Sequence, residues 1–185
     1  MTKHNRAPAL TLPSALAGRK EKSSLATQED FSTLYQAYID PVFRYLYSRV
    51  SSAQDAEDLT SQTFLQAYRS YASLRDQNSF APWLFKIARN KLNDFFRKSE
   101  SNIALVSETI ESDLPEPSQV FELDERLKQL RLLIFALPED EQELIRLRYL
   151  GELTYREIAE TLGKTEQAVK KSTYRLLARL KSQLE

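Results

Sequence analysis

Apolar residues recur every three or four positions along most of the chain, and runs of β-branched residues are absent, so an all-helical fold is expected. From Glu29 to Val50 the stripe is Phe31, Leu34, Tyr35, Tyr38, Val42, Phe43, Leu46 and Val50. A second helix opens near Asp55, with Ser52 as its cap, and carries Ala56, Leu59, Phe64, Ala67, Tyr68 and Tyr71 to about Leu74. The polar stretch Arg75 to Ser79 reads as a turn. A third helix follows over about Phe80 to Lys98, with Pro82 tolerated in its first turn. Leu127, Leu130, Leu133, Ile134 and Leu137 define a fourth helix, stopped at Pro138. Leu144, Ile145, Leu147, Tyr149 and Leu150 define a fifth, ended by Gly151.

The last stretch, Thr154 to Leu180, has the spacing of two helices crossing closely around a short turn. Ile158, Ala159 and Leu162 share a face of the first. Gly163 ends it, because only glycine takes a left-handed backbone without steric cost. Thr165 caps the second, whose apolar side is Val169, Thr173, Leu176, Leu177 and Leu180. This is the arrangement of a helix-turn-helix. Its outward face carries Gln167, Lys170, Lys171, Tyr174 and Arg175, side chains that reach phosphates and base edges in a major groove.

Plotting the third helix at about 100° per residue separates two faces. Leu84, Ile87, Ala88, Leu92 and Phe95 form a buried stripe, opposite Lys86, Arg89, Asn90, Asn93 and Arg97. Trp83 and Asp94 flank the polar side. Basic and amide groups beside an aromatic suit phosphate contact and stacking on an unpaired base. They suit a solvated helix face with Trp83 in the core equally well.

Composition narrows the function classes. The chain has no Cys and a single His, His4, which leaves no thiolate or imidazole metal site and no His-based catalytic group. No metal, cofactor or enzymatic activity is expected. No apolar run reaches membrane-spanning length and no signal-peptide core is present, so a cytoplasmic protein without membrane insertion is expected. The 26 Lys and Arg balance 26 Asp and Glu, but the charges are segregated. From Lys164 to the end there are six basic residues against Glu166 and Glu185, whereas residues 100–122 hold six acids and no base. With Pro115 and Pro117, that acidic stretch reads as a flexible linker. The expected organisation is a disordered basic tail over 1–28, a helical domain over 29–99, the acidic linker over 100–122, and a second helical domain with the helix-turn-helix over 123–185.

Three stretches in this order resemble the extracytoplasmic-function (ECF) group of sigma-70 family sigma factors of bacterial RNA polymerase. DAEDLTSQTFLQAY (Asp55 to Tyr68) is similar to the family's helix that docks on the clamp helices of the polymerase β′ subunit. FAPWLFKIARNKLNDFFRK (Phe80 to Lys98) is similar to its promoter-melting and minus-10-reading helix. LPEDEQELIRLRYLGELTYREIAETLG (Leu137 to Gly163) is similar to the entry of its domain four. The resemblance spans roughly Phe31 to Leu180.

The resemblance implies a protein that binds core RNA polymerase, through the β′ clamp helices and the β flap, and makes it promoter-specific. It implies minus-35 contacts from Gln167, Lys170, Lys171, Tyr174 and Arg175. It implies capture of an unstacked minus-10 base and grip on the opening strand by Asn78, Ser79, Phe80, Trp83, Lys86, Arg89, Asn90, Asn93 and Arg97. Core-polymerase contacts fall on Asp55, Glu57, Asp58, Ser61 and Gln62, and the acidic linker would thread polymerase channels that take nucleic acid. An anti-sigma partner is also implied. The chain departs from the family at Ser61 and Gln62, where Gln then Glu is usual, and at Ser172, where an arginine is usual. The competing reading is a stand-alone helix-turn-helix regulator, which accounts for Thr154 to Leu180 but not for the Trp83 to Arg97 pattern.

Overall fold

The computed structural model describes residues 17–50, 52–74, 76, 79–103 and 125–184, with side chains placed from Phe31 to Ser99 and from Leu127 to Leu184 within those spans. Seven α-helices make up the described chain: α1 (Ala17–Tyr47), α2 (Ala53–Ser70), α3 (Phe80–Ile103), α4 (Glu125–Phe135), α5 (Glu139–Ile145), α6 (Tyr155–Leu162) and α7 (Glu166–Leu184). No strand occurs among the described residues.

Three boundaries differ from the sequence reading. Helix α1 begins at Ala17, inside the stretch expected to be a disordered tail. After Gly18 that stretch contains no helix breaker, and its Arg, Lys, Glu, Ala and Gln residues are good helix formers. Residues 1–16 lie outside the described residues. Helix α3 likewise runs on to Ile103, four residues into the expected linker, and residues 104–124 lie outside the described residues. Helix α2 ends earlier than expected, at Ser70, and a 3₁₀ turn, Tyr71–Ser73, completes its length.

Local chemistry sets the helix ends. Ser52 accepts a hydrogen bond from the Asp55 N–H at 3.3 Å and so caps α2. Thr154 and Glu157 form a capping box at the start of α6: Thr154 Oγ1 accepts from the Glu157 N–H, and Glu157 Oε2 accepts from the Thr154 N–H at 2.7 Å. Gly163 takes φ +66° at the end of α6, and the N–H groups of Gly163 and Lys164 both donate to the Ala159 carbonyl. Thr165 Oγ1 accepts from the Ala168 N–H and opens α7.

Helix α5 passes into a π-turn, Arg146–Leu150, closed by the Gly151 N–H donating to the Arg146 carbonyl at 2.9 Å. Gly151 itself has φ −80°, and the left-handed residue is the next one, Glu152, at φ 57°. Gly151 is therefore not required by backbone sign. Its role is close approach: a Cβ there would stand 2.8 Å from the ring of Phe85 on α3.

That contact reflects the main architectural finding. The two expected domains do not stand apart but share one core. Val42, Tyr45 and Leu46 of α1, Leu59 and Phe64 of α2, and Phe80, Leu84, Phe85 and Leu92 of α3 are buried in the same cluster as Leu144, Leu147, Leu153, Ile158 and Val169. Helices α1 and α3 of the first domain pack on the π-turn and α6 of the second. Fully burying each such side chain contributes about 1.5–3 kcal/mol, so this seam is a substantial part of the closed body's stability. Leu137, Leu176 and Leu180 form a smaller cluster between α4 and α7.

Candidate nucleic-acid interface

Helix α7 separates its faces cleanly. Val169, Thr173, Leu176 and Leu180 are buried against the rest of the domain. Gln167, Lys170, Lys171, Tyr174 and Arg175 are all exposed, as is Ser172. The structure thus brings the five sequence-predicted minus-35 residues together on one solvent face. Lys170 Nζ lies 2.7 Å from Glu166 Oε1, and that carboxylate raises the Lys170 pKa by hydrogen bond and by charge. The Tyr174 ring sits 5.9 Å from that of Tyr155, over which the Arg148 guanidinium lies at 5.1 Å. Tyr155 and Arg148 were not singled out from sequence; Tyr155 is the ring that Tyr174 meets, and Arg148 backs it.

The second group divides. Lys86, Asn90, Asn93 and Arg97 are exposed on α3, and Arg97 is paired with Asp94 at 2.8 Å. Trp83 is half-buried, its ring 5.8 Å from that of Phe80. Ser79 donates to Asp76 Oδ2 at 3.3 Å. Asn78 lies outside the described residues. Phe80 corrects the sequence reading: it is 1% exposed and makes edge or tilted ring contacts with Phe31, Tyr38, Tyr71 and Trp83. It is a core residue, out of reach of a base. The resemblance places it in the minus-10 set; the aromatic residues of α1 and the Tyr71 turn close over it.

Arg89 also departs from the simple two-face picture. Its Nε lies 2.9 Å from Oε1 of Glu143, on α5 in the other domain. Glu143 is 7% exposed and additionally accepts from the Tyr45 hydroxyl at 2.9 Å. Arg49 lies 3.5 Å and Arg146 3.9 Å from its other oxygen. Burial, and then the Glu143 carboxylate, push the Tyr45 phenol well above its ordinary range, so that hydroxyl stays a donor. Neither Glu143 nor Tyr45 was picked out from sequence. The helix that carries Glu143 opens with several carboxylates, and nothing in the sequence separates Glu143 from the more exposed Glu139, Asp140 and Glu141.

The core-polymerase group lies on α2 with Ala56, Leu59, Thr60, Thr63, Phe64 and Ala67 buried behind it. Glu57, Asp58, Ser61 and Gln62 are exposed and Asp55 is half-buried. Asp55, Asp58 and Gln62 line a cleft whose other wall is Lys91, Asp94 and Lys98 of α3. The acidic face of α2 therefore borders the polar face of α3. Among the described residues there is no cluster of metal-ligating side chains, and no helix is long and apolar enough to cross a membrane.

Comparison with known proteins assigns the fold. The family model Sigma-70 region 2 matches residues 34–102, and Sigma-70, region 4 matches residues 127–180. The chain is 35% identical over 164 residues to the ECF RNA polymerase sigma factor BldN of Streptomyces coelicolor, covering 86% of this chain and 62% of BldN's length. It is 31% identical over 153 residues to the ECF RNA polymerase sigma factor SigM of Bacillus subtilis, covering 80% of this chain and 91% of SigM. A solved structure of the sigma factor RpoE from Bartonella quintana, in complex with the anti-sigma factor NepR, is similar with a TM-score of 0.65 at 25% identity, over 84% of this chain and 97% of that one. The chain belongs to the sigma-70 family, as an RNA polymerase sigma factor of the extracytoplasmic-function group.

Proposed function

We propose that this sigma factor directs core RNA polymerase to its promoters through three faces of the molecule. Helix α7 enters the major groove of the minus-35 element with Gln167, Lys170, Lys171, Tyr174 and Arg175. Trp83 and the exposed polar side of α3 take an unstacked minus-10 base and the opening strand, with Lys86, Arg89, Asn90, Asn93 and Arg97 on the backbone. The acidic side of α2, Asp55, Glu57, Asp58, Ser61 and Gln62, docks on the β′ clamp helices, and the second domain meets the β flap.

The observation that carries this reading is the placement of the acidic α2 face beside the polar α3 face. Asp55, Asp58 and Gln62 face Lys91, Asp94 and Lys98 across one cleft, so the docking surface adjoins the side of α3 that carries Asp94 and its partner Arg97. A stand-alone regulator has no use for that pairing. Flipping a base costs a few kcal/mol, which stacking on Trp83 and backbone contacts would offset. The first domain extends to the end of α3 at Ile103 and the second begins with α4 at Glu125, with the residues between them joining the two. The protein acts in the cytoplasm and is not an enzyme. An anti-sigma partner is supported by the similar RpoE, whose structure holds one.

The test is transcription from a cognate promoter with purified core polymerase. Run-off product only when both core and this protein are present supports the reading. Tight duplex binding by the protein alone, with no product when core is added, would instead indicate a repressor.

A further inference from the structure

We propose that Glu166 sets base specificity in the minus-35 element, by accepting a hydrogen bond from the N4 amino group of a cytosine in the major groove. This rests on the reading of α7 as the minus-35 helix and deepens it. Glu166 is the one acidic residue of α7 and opens its first turn. It lies outside the five-residue contact set, yet the N-terminal residues of a recognition helix are the ones that reach base edges.

A carboxylate in a first turn ordinarily serves the helix itself. Helix α6 shows that use, with Glu157 turned back to accept from the Thr154 N–H. Glu166 makes no such bond among the described residues, and Thr165 already caps α7, its Oγ1 accepting from the Ala168 N–H at 3.2 Å. The Glu166 carboxylate instead meets Lys170, with Oε1 2.7 Å from Nζ and 43% of the Glu166 side chain exposed. An exposed ion pair at this helical spacing contributes only about 0.3–0.5 kcal/mol to stability. On a DNA-reading face a bare carboxylate is also repelled by the phosphates. Lys170 offsets that repulsion and restricts the rotamers of Glu166, while Oε2 is left to accept.

A group that only accepts selects its base by the donors the major groove offers. Cytosine presents its N4 amino group there and no acceptor. Guanine presents O6 and N7, and thymine O4 and a methyl group, so neither matches a carboxylate. Adenine sets its N6 donor beside the N7 acceptor, which repels the second carboxylate oxygen. Glutamine, with one acceptor and one donor arm, fits that adenine edge instead.

Holoenzyme reconstituted from core polymerase and the full chain, selected on duplexes randomised across the minus-35 element, provides the test. Wild type should show a position at which cytosine is preferred over each other base by about fivefold or more. In Glu166→Ala that preference should fall below about twofold, with the preferences at other positions and the melting temperature kept. Glu166→Gln should shift the same position towards adenine. A wild type with no cytosine-preferring position, or a selection unchanged in both variants, overturns the role of Glu166 and leaves the minus-35 reading intact. So does a general loss of affinity in Glu166→Ala with the base pattern preserved, which is the mark of a residue that only stabilises its helix. Wild-type holoenzyme that selects no sequence at all would instead fail the minus-35 reading, and the proposal with it.

Discussion

Gly151 lies directly against the ring of Phe85: a Cβ at Gly151 would stand 2.8 Å from Phe85 Cε1 and 3.0 Å from the Leu147 carbonyl oxygen. Both ring and carbonyl are fixed, since Phe85 and Leu147 are fully buried and the backbone there is closed by the π-turn. Gly151→Ala should therefore overpack the seam at a cost of about 1–3 kcal/mol. For a chain of this size each kcal/mol lowers the melting temperature by about 2–4 °C. Adding Phe85→Leu should recover part of the loss, so that the double variant is less destabilised than the two single losses summed. Thermal denaturation of the four proteins checks this, and strict additivity would show that the two residues do not meet.

The helices and the helix-turn-helix were legible because their causes are local. Ser52, Thr154, Gly163 and Thr165 each act within four residues, and the apolar spacing of α7 names its own buried face. The seam between domains was not legible. Tyr45 and Glu143 are 98 residues apart, and neither carries a mark of the other in the sequence. Gly151 looked like an ordinary helix stop, because a glycine needed for close approach and one needed for positive φ are spelled the same way. Phe80 failed for a related reason. The resemblance assigns a position without its burial, and only the fold brings the rings of Phe31, Tyr38 and Tyr71 over it.

Phe80→Ala consequently tests a structural role. Removing a buried phenyl ring costs about 3–5 kcal/mol, through lost transfer energy and the cavity left behind. The variant should show a drop in thermal stability before any change in DNA contact is examined. Phe80→Leu, which refills most of the space, should recover most of the melting temperature and with it promoter activity. Activity lost at full stability in Phe80→Leu would return Phe80 to the DNA-contacting set.

Gly163 is the opposite kind of glycine. Its φ is +66°, and a Cβ added there would meet nothing within 4 Å. Any penalty for Gly163→Ala is thus one of backbone conformation, about 1–2 kcal/mol. Gly163→Asn should cost less, because asparagine visits the left-handed region more readily. Ranking glycine above asparagine above alanine in urea midpoint, at constant slope, is the expected result.

Lys171 and Arg175 stand one helical turn apart on the exposed face of α7, with no ion pair to either among the described residues, whereas neighbouring Lys170 is engaged by Glu166. Their replacement by alanine leaves the buried side of α7 untouched, so the melting temperature should stay within about 1–2 °C of wild type, as for ordinary surface changes. If each contacts a phosphate, the salt dependence of holoenzyme binding to a minus-35 duplex loses about 0.9 in logarithmic slope per residue removed. If instead one reads a base edge, the slope holds while binding to the preferred sequence weakens by about 1–3 kcal/mol and discrimination relaxes at one position. Lys170→Ala should have a smaller effect than either, because its ammonium must leave Glu166 before it can reach DNA. Titrations at several salt concentrations, on promoter and scrambled duplexes, separate these outcomes, and unaltered binding in both variants would remove this face of α7 from the promoter interface.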